Sequence, residues 1–376
     1  MKKESFAWIC KTQVKSNLKD LKEIVHFIEK FSLYPDTLRV NFMKWKLSRN
    51  PYGTGVLSTA RASNSGRVVS TCTVSPRKVW HDNSEHLGAQ IGDTFTDEDY
   101  QRKGIFVTLV NKTRSKAESA GVKLFFGFPN ANSFPGYVKK LGFIEVKTLS
   151  LHQFTMIIDW HSFIKQNFFH LRKSKIKEVE PKCNKATEPK ILRFVHKIRE
   201  SFLLPSSLYR VSELVNSKME ISDLWGKIRI HLGTAVQRDM HYLQWRYFDN
   251  PYPYRVWVVH RNESLVGYFV TLLAPYKGSD TLKRLILSDW VYEHSEGRLL
   301  KRAIIRHVID TALKYNAVCI NALHSSGKCQ ELPFRSSGFI KQDLARPVIV
   351  FGNEVGQSVL FNGKKWHITA SDLDEF

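Results

Sequence analysis

The chain has 376 residues, 43% of them apolar and 24 of them Phe, more than a single hydrophobic core usually serves. Lys and Arg outnumber Asp and Glu by 57 to 35; the resulting +22 predicts affinity for polyanions without separating a cofactor phosphate from nucleic acid or an anionic membrane surface. Five cysteines with no Cys-x-x-Cys pair argue against a disulfide framework, 14 His with no His-Glu-x-x-His spacing argue against a metal, and no apolar run approaches the roughly 20 residues that span a bilayer.

Near the start, the apolar run over 6–10 is too short for the core of a signal peptide and meets Lys11 at once, so a reduced cytoplasmic location is expected. Helical spacing follows over 21–30, and a segment around Trp45 reads as a helix anchored in a core. Strands are expected over 56–62 and 68–74, and a further strand over 87–95, opened by His86, carries Asp93. That strand runs into Asp97-Glu98-Asp99-Tyr100-Gln101-Arg102-Lys103-Gly104-Ile105-Phe106, after which Ile105, Leu109, Lys112 and Lys116 recur at helical spacing over 105–120. Such a turn suits a pyrophosphate. The first N–H groups of a helix lack intrahelical partners, the dipole favours an anion, Gly104 permits close backbone approach, and Arg102 and Lys103 add charge. A strand over 122–128 then leads through Pro129-Asn130-Ala131-Asn132-Ser133 into a short helix ending at Gly142-Phe143.

This order of strand, Gln101-x-x-Gly104 turn, helix, second strand and short helix with a Gly-Phe end resembles the GNAT superfamily of acetyl-CoA-dependent N-acetyltransferases. The resemblance implies a twisted mixed sheet whose fifth strand parts from the fourth to admit a pantetheine arm. It implies cofactor contacts from Phe95, Thr96, Gln101, Arg102, Lys103, Gly104, Ile105 and Phe106, and a second contact from Asn130 and Ser133. Asn130, Asn132 and Ser133 also fit ordinary turn chemistry. Phe106 departs from the family, which has Gly or Ala there, so the loop holds phosphate with one less small residue. In the family the general acid is often a Tyr four residues before the Gly of the Gly-Phe turn. That position is Val138 here, and Tyr137, the candidate acid, lies one residue back, about 100° round a helix. Asp93 is the candidate base, with Glu98, Asp99 and His86 nearby. Carboxylates beside a basic loop also serve as plain charge partners, and proximity with backbone donors can carry much of such a rate.

The chain is also written twice. Trp45 with Asn50-Pro51-Tyr52 recurs as Trp245 with Asn250-Pro251-Tyr252, and Gly142-Phe143 recurs as Gly338-Phe339. Strands over 255–260 and 265–273 answer those over 56–62 and 68–74, Asp289 answers Asp93, and a helix over 299–315 answers that over 105–120. A repeat of this length means duplicated domains rather than a solenoid. The expected organisation is mixed α/β: a GNAT domain over 1–165, a basic linker over 166–190 and a degenerate GNAT-like domain over 191–376, with a helix over 190–202 and a terminal strand near Trp366. In the second copy Glu293 and Glu296 stand near the place of the phosphate turn, where like charge would repel a phosphate.

These readings predict an acetyl-CoA-dependent N-acyltransferase acting on a primary amine, with acetyl-CoA as co-substrate and no metal. The resemblance to tandem bacterial members favours an amino sugar of surface polysaccharide synthesis as acceptor. Two other readings stay open. A Fem-type aminoacyltransferase also pairs two GNAT-like domains and takes its acyl group from charged tRNA, and a non-catalytic nucleic-acid-binding protein would suit the charge but lacks RNA-reading motifs. A small-molecule partner is expected, with no nucleic acid and no membrane span.

Overall fold

The computed structural model describes residues 8–13, 18–31, 38–173, 208–216, 218–325, 330–344, 346–352 and 366–373. The helix expected over 190–202 and the linker beyond 173 lie outside these residues. The first half runs β1 (Trp8–Gln13), α1 (Leu18–Glu29), α2 (Arg39–Ser48), β2 (Val56–Ala62), β3 (Val68–His81), β4 (Ser84–Thr96), α3 (Ile105–Glu118), β5 (Leu124–Gly127), α4 (Phe134–Leu141), β6 (Ile144–Glu145), β7 (Leu151–Ile157) and α5 (Trp160–Lys173). The second half repeats the order: β8 (Arg210–Leu214), α6 (Met219–Arg229), β9 (Thr234–Val236), α7 (Met240–Leu243), β10 (Tyr254–Arg261), β11 (Ser264–Pro275), β12 (Lys283–Tyr292), α8 (Arg298–Lys314), β13 (Cys319–Ser325), β14 (Ile340–Asp343), β15 (Ile349–Gly352) and β16 (Trp366–His367).

The strand expected over 68–74 continues to His81, straight through Pro76. A proline cannot donate to a ladder and is normally kept to edges. Here β2 pairs with β3 only as far as Val74, and β9 joins the same side only from Val79, so Pro76 sits in the unpaired gap between two neighbours. The turn from β3 to β4 places Asp82 and Asn83 at φ 47° and 57°, the left-handed pair that matches strand twist in a two-residue hairpin.

Two mixed sheets result, with strand orders β1-β2-β3-β4-β5-β15-β6 and β14-β7-β13-β12-β11-β10-β8. Each is completed by a strand from the other half. Leu151–Ile157 lies antiparallel to β13 in the second sheet, and Ile349–Gly352 lies antiparallel to β5 in the first. The halves also share a core in which Phe42, Trp45 and Phe126 of the first cluster with Trp225, Trp245 and Trp366 of the second. At its centre the repeated tryptophans meet: the rings of Trp45 and Trp245 stack at 4.5 Å, and Trp45 Nε1 donates to Trp245 O at 2.8 Å. Helix α3 covers the first sheet in a cluster with Ile105, Leu109 and Tyr137, and α8 covers the second with Leu300, Ile304 and Val308.

Candidate functional site

Strands β4 and β5 pair in parallel over three positions, from Gly88 opposite Leu124 to Gln90 opposite Phe126. Beyond Gln90 they part. The opening is made by a bulge in β4: the register with β3 slips between Thr71 and Thr73, leaving Asp93 at φ 46°. Asp97 N donates to Val69 O at 2.9 Å, so in the alternation of an antiparallel ladder Thr96 turns its own N–H and C=O away from β3, into the opening. Gln101 Nε2 reaches Thr96 O at 3.3 Å, tying the following turn to the strand end.

That turn begins with a short helical segment, Glu98–Tyr100, capped by the Asp97 side chain, and ends at Gly104, the N-cap of α3, at φ 79°. Arg102 is also left-handed, at φ 59°. Among the described residues no acceptor takes the amide hydrogens of Gly104, Ile105, Phe106 or Val107, which are the orphan donors of a helix start. Arg102, Lys103 and Gly104 are exposed there, and Asp97 is paired outward with Arg67 at 2.7 Å. The departure at Phe106 is met from α4. Gly136 lies against the Phe106 ring so closely that an added Cβ would come within 2.6 Å of Cε1, and the ring packs edge-on to Tyr137 at 5.1 Å. The small residue that the turn lacks is supplied by the helix opposite.

Tyr137 faces the opening despite its register. Its hydroxyl meets Thr94 Oγ1 at 2.8 Å, so a side chain from the helix after β5 touches β4 across the gap. Burial, then the adjacent Cys72, push its pKa well above the ordinary tyrosine value, leaving the phenol protonated at neutral pH. Cys72 beneath it is fully buried, and desolvation pushes its thiol up to about 12. On the other side of the bulge Asp93 Oδ2 accepts from Lys46 Nζ at 2.8 Å and from Thr73 Oγ1 at 2.7 Å. The Lys46 side chain is 1% exposed and that of Asp93 15%, so the pair sits at the floor of the opening.

The structure therefore gathers Asp93, Thr96, Tyr137 and the 101–106 turn at one place, but not every residue named from the sequence. Asn130 Oδ1 accepts from Asn132 N, Ser133 N and Ser133 Oγ, which commits Asn130 and Ser133 to the turn before α4. His86 lies six residues from Gly92 along an extended strand, about 20 Å away. Phe95 stacks on Phe31 at 4.9 Å. Lys46, Thr73, Thr94 and Gly136 had no signal of their own in the sequence. Lys46 alone left a trace, because it follows Trp45 as Arg246 follows Trp245.

The second half keeps the parted strands but fills the space between them. Trp290 stands where the first half has Thr94, and residues 366–373 lie along the parted ends of β12 and β13. Glu293 pairs with Lys227 at 2.9 Å, and Glu296 is buried against Tyr209 and Arg261. Their charge is satisfied within the protein, so bulk and not like-charge repulsion closes this half. A cavity of about 450 Å³ lies in the second half, lined by His324 and Ser325 at the end of β13 together with His152, Phe154 and Phe334, and holds none of the expected site residues.

No protein-family model matches the chain, and no curated protein sequence matches it. Solved structures do. A conserved protein from Enterococcus faecalis V583, described as a probable N-acyltransferase, aligns with a TM-score of 0.58 at 13% identity over 95% of this chain and 75% of its own. Saccharomyces cerevisiae N-myristoyltransferase with bound myristoyl-CoA aligns with a TM-score of 0.59 at 11% identity, covering 93% of this chain and 83% of that one. A GCN5-related N-acetyltransferase from Anabaena variabilis aligns with a TM-score of 0.56 at 9% identity, covering 91% and 72%. The chain thus shares the fold of these N-acyltransferase structures along nearly its whole length.

Proposed function

We propose that this GNAT-fold chain is an acyl-CoA-dependent N-acyltransferase with its site in the first half. One observation carries the reading: among the described residues no further segment lies between the parted strands of the first sheet, beside an unpartnered helix start, while the equivalent strands of the second are filled. The pyrophosphate would lie on the unpartnered amides at 104–107, with the exposed Arg102 and Lys103 beside it. The pantetheine arm would run between β4 and β5 and meet the Thr96 N–H, bringing the thioester to the bulge.

The chemistry then follows from position. The acceptor amine attacks the thioester carbonyl carbon, the tetrahedral intermediate collapses, and the C–S bond breaks to release CoA thiolate. Tyr137, whose hydroxyl reaches β4 at Thr94, donates its proton to that sulfur. Asp93, with Oδ2 held by Lys46 and Thr73, presents Oδ1 to the incoming amine and accepts its proton. The structural neighbour that carries myristoyl-CoA supports an acyl-CoA donor, and we take acetyl as the acyl group from the motif resemblance. An amino sugar is the favoured acceptor on the same ground.

Calorimetry with acetyl-CoA tests the site, with binding expected for the native protein and lost in Gly104→Glu. A turnover screen with acetyl-, hexanoyl- and myristoyl-CoA against amino sugars, aminoglycosides, polyamines and peptides identifies donor and acceptor. Thermal melting with tRNA and with duplex DNA is the counter-test, since a midpoint raised by tRNA and not by acyl-CoA would replace this reading with the aminoacyl-transfer one.

A further inference from the structure

In the second sheet β12 and β13 pair from Arg284 opposite Cys319 to Leu287 opposite Ala322 and then part, as β4 and β5 do. The bulge recurs as well, with a register slip between Val270 and Thr271 that puts Asp289 in the place of Asp93. Glu293 N donates to Val266 O at 2.9 Å, so Tyr292, like Thr96, turns its N–H and C=O into the opening. An exposed pair of this kind is a template for any amide. In this half it is taken. Tyr292 N donates to Gln330 Oε1 at 2.8 Å, and Gln330 Nε2 donates to Tyr292 O at 2.9 Å, so a side-chain amide pairs with the strand as a bound one would.

The rest of the opening is filled by the C-terminal segment. Toward β12, Ser371 Oγ donates to Ser288 O at 3.0 Å, His367 Nε2 meets Trp290 O at 3.0 Å, and Thr369 Oγ1 donates to Asp289 Oδ1 at 2.8 Å. Toward β13, Ser325 N donates to Ile368 O at 3.1 Å, Ser325 Oγ donates to Trp366 O at 2.6 Å, and Thr369 bridges His324. Arg238, wholly buried, lies between Asp289 at 3.0 Å and Asp372 at 2.7 Å. The segment thus touches both parted strands and closes a buried charge cluster that needs its carboxylate.

We infer that residues 366–373, together with Gln330, are a built-in peptide occupant of the second groove, bound where a ligand would pair with the parted strands. The segment also reaches the first site. β16 pairs with β9, which pairs with β3, and the Trp366 ring packs 5.8 Å from Phe126, the last β5 residue paired before the first opening. One short segment therefore fills the second groove and braces the apex of the first. This assignment stands apart from the acyltransferase reading and makes its own prediction: the groove recognises this peptide in trans.

The test begins from the intact folded chain, with a specific protease site placed between Gly352 and Trp366. After cleavage the C-terminal fragment is expected to co-elute with the body, and excess fluorescent peptide spanning 363–376 is expected to exchange into the same place with a saturable signal. The peptide with Asp372→Asn, which leaves Arg238 short of a buried partner, is expected to compete at least about a hundredfold more weakly. The Gln330→Met protein, which cannot pair with Tyr292, is expected to melt lower than the native one and, once cleaved, still to hold the fragment. A fragment that separates from a body retaining its near-UV signal, or Asp372→Asn peptide competing as well as the native one, would overturn the inference. Acyl-CoA takes no part, so failure here and failure of the transferase reading are told apart.

Discussion

Replacing Gly136 by Ala tests how the chain tolerates Phe106 at the start of α3, where the pyrophosphate is proposed to lie. In a helix interior Gly→Ala ordinarily stabilises by about 0.5–1 kcal/mol. At this position the new Cβ would lie 2.6 Å from Phe106 Cε1 where ordinary contact begins at 3.4 Å, so the ring must retreat by about 0.8 Å. Its retreat is opposed by Tyr137, which it meets edge-on at 5.1 Å. Overpacking of this kind costs about 1–3 kcal/mol, which outweighs the helix gain, and the net expectation is destabilisation by about 0.5–2 kcal/mol. In a Phe106→Ala background the obstacle is gone and the same substitution should stabilise by about 0.5–1 kcal/mol. Urea denaturation of the four proteins, with m-values held equal, measures the sign in each background. Stabilisation of equal size in both would refute the claim that Gly136 exists to seat Phe106. Acetyl-CoA affinity should track the same sign, weakening in the single variant and recovering in part in the double, because Phe106 carries one of the helix-start amides.

Other expectations concern the same region. Tyr137→Phe should lower turnover by about 10²–10⁴-fold with acyl-CoA affinity barely changed, measured by steady-state kinetics beside calorimetry, and a loss of only a few-fold would exclude the acid role. Gly104→Glu should abolish acyl-CoA binding while circular dichroism stays native, because among the described residues beyond its chain neighbours no atom lies within 4 Å of an added Cβ, and the new carboxylate would face the phosphates. Its left-handed φ of 79° adds backbone strain of about 1–2 kcal/mol, seen as a small fall in melting temperature. Stability should also decline on acidification. Burial, then Arg238 and His324, hold the His367 pKa well below its ordinary 6.5, so the unfolded chain binds the proton more readily. This contribution is full above pH 6.5 and is lost at about 1.4 kcal/mol per unit as pH falls below it. Denaturation between pH 5 and 7.5 should show that slope, and His367→Gln should flatten it; an unchanged slope in the variant would assign the acid sensitivity elsewhere.

Much of this protein was legible because its signals are local. The turn proposed for the pyrophosphate is a helix start with a left-handed glycine and basic neighbours within a few residues, and that local geometry is written in Gln101 to Gly104. The duplication was legible from Trp45 and Trp245, since a repeated core anchor keeps its neighbours Asn-Pro-Tyr with it. Asn130 and Ser133 were named with two readings, and hydrogen bonds within four residues engage both in the turn. Tyr137 could be named but not aimed, because a helix register fixes an angle only relative to its own axis, and the packing of Phe106 and Gly136 sets where that axis lies. What the tertiary structure alone decided involves residues far apart in the chain. Lys46 meets Asp93 across 47 positions, Leu151–Ile157 and Ile349–Gly352 are exchanged between sheets, and the groove of the second half is closed by a segment some 80 residues beyond the strand it pairs with. Strand pairing is satisfied by any backbone that arrives with free N–H and C=O groups, so the sequence marks where edges form and the assembled fold determines what covers them.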